Sequence, residues 1–91
     1  MQFEWNEEKT KANLKKHRVS FEEAETVFDD SLFLIFADPD HSIEENRFII
    51  MGESNRNKLL VVSFVERPPK IRLISARKAN RAEPKNYEEE I

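Results

Sequence analysis

A single α+β domain is predicted: two helices, a four-stranded antiparallel sheet, then a closing helix. Three observations predict it. The first 30 residues carry two helix-start signatures, four apolar runs separated by very short turn segments follow, and the chain after Asn80 again opens like a helix. With 91 residues there is room for one core, so positions 1–91 read as one domain.

Each element has a local cause. Phe3 and Trp5 precede Asn6, a good N-cap for a helix running to about Lys16, with Ala12 and Leu14 as a modest apolar stripe. Ser20 and Glu23 have the spacing of a capping box, and Phe21, Ala24, Val27 and Phe28 then recur on one face of a second helix ending near Asp29-Asp30. His17 and Arg18 fall in the turn between the helices. From Leu32 the pattern becomes strand-like. LFLIFA runs into the turn cluster DPDHS, NRFIIMGES is a second strand, NRN at 55–57 a hairpin turn, KLLVVSFVER a third strand, and PP at 68–69 leads into KIRLISA. Turns this short imply antiparallel neighbours. Asn80 and Glu83 repeat the cap pairing, and Pro84 is tolerable near a helix start, so the last helix is expected from about Arg81 to Glu90.

Composition narrows the chemistry. The absence of cysteine excludes disulfides and thiolate metal sites and suits a reducing cytoplasm. MQFEWNEEK has neither the basic flank nor the apolar stretch of a signal peptide, and LLVVSFV is far too short to span a membrane. The net charge of -3 hides an asymmetry: residues 1–45 carry five Lys/Arg against twelve Asp/Glu, residues 46–91 ten against six. Such halves either present a basic surface to an anion or interleave in space and cancel.

No motif points to a metal, since two histidines leave only the DPDH cluster, whose residues suit a turn for backbone reasons. The one glycine, Gly52, lies inside a strand, so no phosphate loop is present, and there is no cysteine nucleophile. What remains is acid–base and electrostatic chemistry without a cofactor. Arg47 opens the second strand, Arg67 ends the third, and Arg72 and Arg77 fall on or after the fourth. A turn centred on Pro68-Pro69 sets Arg67 opposite Lys70 and Arg77 opposite about Leu60, so the two arginines are not neighbours. Lys78, Arg81 and Tyr87 gather with Arg77 at the last strand–helix junction. Each residue also has a plainer reading: a solvated or ion-paired cation, a packing tyrosine, a capping Glu83, a C-capping His17, a core Trp5.

Taken together, FEWNEEKTKANLKKHRVSFEEA (3–24), the DPDHS turn, NRFIIMG (46–52) and VERPPKIRLISARKANRAEPKNY (65–87) resemble the BrnT family of toxins. The resemblance covers nearly the whole chain, and its specific parts are Trp5 with Lys9 and Asn13, the Lys16-His17 turn before Phe21, and ISARKA with Glu83 and Tyr87. It implies a RelE-like fold and an endoribonuclease that arrests translation by metal-independent cleavage, the RNA 2′-hydroxyl attacking the adjacent phosphorus. It also implies neutralisation by a BrnA-type antitoxin with a ribbon-helix-helix DNA-binding domain, in a 2:2 complex that reaches operator DNA only through the antitoxin. On that resemblance Arg77, Arg67, His17, Glu66 and Tyr87 are the expected catalytic residues. Arg47, Lys78, Arg81, Lys9 and Lys16 are the expected contacts to RNA, on or off the ribosome. Arg18 stands where the family commonly has glycine and Pro84 where it commonly has a basic residue. Two alternatives stay open: a non-catalytic nucleic-acid-binding module using the same basic patch and, on account of Arg18 and Pro84, an inactive remnant that serves as an antitoxin-binding co-repressor.

Overall fold

The computed structural model describes residues 2–38 and 46–80. Strand β1 (Gln2–Glu4) leads into helix α1 (Glu7–His17) and helix α2 (Phe21–Glu25), which tightens into a 3₁₀ turn at Thr26–Asp29. Four strands follow, β2 (Leu34–Ala37), β3 (Arg47–Glu53), β4 (Leu59–Arg67) and β5 (Lys70–Lys78). They form one sheet in the order β1-β5-β4-β3-β2.

This corrects the expected architecture. The sheet has five strands, not four, and it is mixed, because β1 lies parallel to β5 with Phe3 opposite Ile71. Three residues are too few to show alternation, and their partner lies at the far end of the chain, so β1 left no strand signature. Residues 2–5 instead look like the lead-in to Asn6. The four expected strands do form an antiparallel meander. The expected C-terminal helix falls at positions outside the described residues.

Local chemistry accounts for both helices. Asn6 Oδ1 accepts from the Glu8 and Lys9 amides at 2.8 and 3.2 Å. Arg18 closes α1 in the left-handed conformation, φ 61°, its N–H donating to the Leu14 carbonyl. His17 is therefore the last helical residue and not the cap. Ser20 Oγ accepts from the Glu23 amide at 3.0 Å, one half of the expected capping box. The Glu23 carboxylate turns elsewhere and, buried, accepts from Ser54 Oγ at 2.7 Å. That bond ties α2 to the turn between β3 and β4, where Asn57 takes the left-handed conformation that an NRN turn favours.

One sheet face is covered by α2 and carries the main core of Val19, Phe21, Ala24, Val27, Ile50, Leu60, Val62, Phe64, Leu73 and Ala76. Edge-to-face aromatic contacts carry this core outward: Phe3 meets Phe28 at 5.0 Å, Phe28 meets Phe64 at 5.1 Å, and Trp5 meets Phe21 at 6.0 Å. The second face holds a smaller cluster around Met51 and Val61. Gly52 permits a close approach, since a Cβ there would lie 3.0 Å from Val27 Cγ1 and 3.1 Å from Asp30 Oδ2. Among the described residues no helix is long and apolar enough to cross a membrane.

Candidate active site

Helix α1 has an unusual inward side. Its buried residue is polar Asn13, whereas Ala12 and Leu14, the expected apolar stripe, are exposed. The reason lies in what the helix faces: the backbone edge of β5, not an apolar sheet face. Asn13 Nδ2 donates to the Ala76 carbonyl at 2.8 Å, and Asn13 Oδ1 accepts from the Ala76 N–H at 3.1 Å. The amide thus pairs with both outward groups of Ala76, as a neighbouring strand would, just past the point where β1 stops at Arg72. Nδ2 also donates to the Val19 carbonyl at 2.8 Å, fixing the turn after His17.

Around this anchor, Lys9, Ala12, Asn13 and Lys16 follow the three- and four-residue spacing of one helix face, with His17 at its end. With Ile74 and Ser75 they line an open groove of about 250 Å³. The strand side of the groove is shaped by a β-bulge. Ser63 pairs with Ser75 but Phe64 with Leu73, leaving Ile74 as the extra residue on β5. The bulge shifts the expected register by one place, so Arg77 stands opposite Val61 and not Leu60, while Arg67 stands opposite Lys70 as the turn position requires. Alternation puts Arg77 on the same sheet face as Ser75, roughly 7 Å farther along the strand. Its guanidinium Nη1 donates to the Lys78 carbonyl at 3.2 Å.

The expected site residues therefore divide into groups. Lys9, Lys16 and His17 come together against β5, the strand that carries Arg77 near its end. Glu66 and Arg67 lie at the far end of the β4–β5 hairpin, and Arg67 is about 20 Å from the Arg77 row along the strand. The two cannot grip one phosphate. Lys78 pairs with Leu60, on the face opposite Arg77, and Arg47 opens β3 beside Val65. Arg81 and Tyr87 fall outside the described residues.

Three participants were not singled out for a role at the sequence level. Asn13 could have been recognised as a polar residue in register with Lys9 and Lys16 on one helix face. Ser75 follows from no local pattern, because the bulge decides which way it points. Arg72 lies across Val65 from Arg47 on the same sheet face and pairs with Glu4 at 3.7 Å. Among the described residues no cluster of three or more His, Asp or Glu side chains is placed to hold a metal ion.

The family model for the ribonuclease toxin BrnT of type II toxin–antitoxin systems matches residues 5–83. No curated protein sequence matches. Among solved structures, the crystal structure of the Brucella abortus ribonuclease toxin BrnT superposes with a TM-score of 0.70 at 24% identity, covering 89% of this chain and 99% of that one. At that identity the likeness speaks for the fold. The matched span takes in Trp5, all of α1 and α2, the β5 bulge and Arg77, and on that match the chain belongs to the BrnT family of ribonuclease toxins.

Proposed function

We propose that this chain is an endoribonuclease that cleaves RNA without a metal ion, by attack of the 2′-hydroxyl on the adjacent phosphorus, and so arrests translation. One observation carries the reading: α1 delivers Lys9, Lys16 and His17 to a single groove against the β5 bulge, on the strand that carries Arg77 next to its last residue. An attacking hydroxyl needs a base, the pentacovalent phosphorane needs cations, and the departing 5′-oxygen needs a proton. An arginine stays charged and offers phosphate a fork of donors, which suits Arg77 to the middle task. His17 takes the acid–base role within the groove, where such a group contributes roughly 10²–10⁴-fold. Tyr87 remains the second acid–base candidate. Arg67, Glu66 and Arg47, set apart from the groove, suit flanking nucleotides better than the scissile phosphate. Lys9, Lys16, Lys78 and Arg81 hold the RNA backbone.

In the cytoplasm a BrnA-type antitoxin with a ribbon-helix-helix domain neutralises the enzyme in a 2:2 complex. Arg18 does not prevent the left-handed turn after His17 from forming, which supports the reading. The purified chain should cleave RNA in the presence of EDTA and leave 2′,3′-cyclic phosphate ends. Arg77→Ala should lower the rate at least 100-fold with the unfolding transition unchanged. Undiminished cleavage in that variant would remove Arg77 from the chemistry. Salt-sensitive RNA binding with no cleavage by the parent chain would favour the non-catalytic alternatives.

A further inference from the structure

We propose that the outer edge of β2 is the docking site of a partner protein, which adds a strand that is apolar where it passes Ile35 and Phe36 and basic where it passes Leu32. The inference rests on the partner half of the reading above and names the surface and the chemistry of the contact. Strand β2 is the last in the sheet order, and among the described residues no strand covers its outer side. The Asp38 N–H donates to the Arg47 carbonyl at 3.0 Å, so by alternation Leu34 and Phe36 also direct their backbone groups at β3. Ile35 and Ala37 direct theirs outward, two residues of open ladder. An uncovered edge of this kind pairs readily with another chain.

The side chains along this edge are equally open. Leu32, Phe33, Ile35 and Phe36 are between 41 and 45% exposed, four large apolar residues within five positions. Alternation sets Ile35 and Phe36 on opposite sheet faces, so exposed apolar surface flanks the open edge on both sides, as an added strand would require. Charge then selects the occupant. Leu32 also lines a cavity of about 570 Å³ with Asp29, Asp30 and Glu53. Both Asp30 oxygens are engaged by the Leu32 and Glu53 amides, while Asp29 and Glu53 are exposed at the rim. Positions 39–45 of this chain hold three acids and no Lys or Arg, and positions 81–91 hold four acids against two bases. Neither complements an acidic rim. A second copy pairing antiparallel about a two-fold axis would set the Leu32 end of one strand against the Ala37 end of the other, after which the sequence brings the three acids of positions 39–45 and no base. A strand with apolar and basic residues fits.

The test titrates the full chain with a nine-residue peptide, valine and isoleucine at its centre and lysine at both ends, against the same peptide with glutamate ends. The lysine-flanked peptide should bind at least tenfold tighter and slow amide exchange at Ile35 and Ala37. Ala37→Pro deletes an outward donor without deleting a bond to β3, and should weaken binding tenfold or more. Ile35→Lys should do the same by charge. Equal binding of the two peptides, no protection at Ile35 and Ala37, or a self-associated dimer that buries this edge would each overturn the proposal. RNA cleavage and antitoxin binding are measured on the same samples. An antitoxin that binds Ala37→Pro and Ile35→Lys as tightly as the parent overturns the docking site and leaves the partnership standing. Peptide binding by a chain that cleaves nothing leaves the docking site standing and removes the ribonuclease.

Discussion

Asn13 shows how much a single side chain can organise. It bonds Val19 and both backbone groups of Ala76, and an alanine there would leave buried polar groups unpaired. At about 1–3 kcal/mol for each such group, Asn13→Ala should lower stability by roughly 2–4 kcal/mol in urea denaturation. Arg18 points the other way. Held at φ 61°, it bears a side chain where glycine is at ease, so Arg18→Gly should raise stability by about 1 kcal/mol, measured the same way. Gly52→Ala should cost about 1–3 kcal/mol, since the new methyl would press on Val27, Asp30 and Phe33 at 3.0–3.3 Å. The strain at position 18 was legible through the family resemblance, because Arg18 stands at a helix end where the BrnT family commonly has glycine. The role of Asn13 was not, because its partner lies 63 positions away.

Among the elements, those with strong local signals formed where the residues implied: the Asn6-capped helix, the Ser20-capped helix and the meander with its turns at 55–57 and 68–69. Elements set by distant partners did not announce themselves. Strand β1 exists because Phe3 packs on Phe28 and its backbone pairs with β5, and the bulge at Ile74 exists only in the β4–β5 ladder. Phe28 joins β1 to the centre of the sheet through its ring contacts with Phe3 and Phe64. Phe28→Ala should therefore cost about 3–5 kcal/mol and speed hydrogen exchange in β1 more than in β3. Exchange that rises equally in both strands would deny Phe28 that linking role.

Across the whole molecule, the two charge-biased halves neither separate nor fully cancel. The acidic half contributes Lys9 and Lys16 to the groove, the basic half supplies its strand side and Arg77 two residues past Ser75 on β5, and the acids of residues 29–30 gather with Glu53 around their own cavity. On the proposed function, RNA affinity should fall steeply with salt, and each lost phosphate contact should flatten the log–log slope by about 0.7. Lys9→Ala and Lys16→Ala measured across a salt series check this, and slopes unchanged from the parent would place the RNA elsewhere. A candidate basic face was readable from the sequence. Its division into a groove at α1 and a distant hairpin end was not, since alternation and one bulge decide which cations share a face.

The parallel pairing of β1 with β5, and the clasp of Asn13 on Ala76 beside it, also bear on how such a protein is made. A ribosome delivers α1 long before β5, and until β5 emerges the helix has no strand edge to hold. The groove is absent from every nascent chain that has not yet exposed residues 70–78. A ribosome making this toxin therefore carries synthesis past residue 78 before its product acquires the surface proposed to act on RNA.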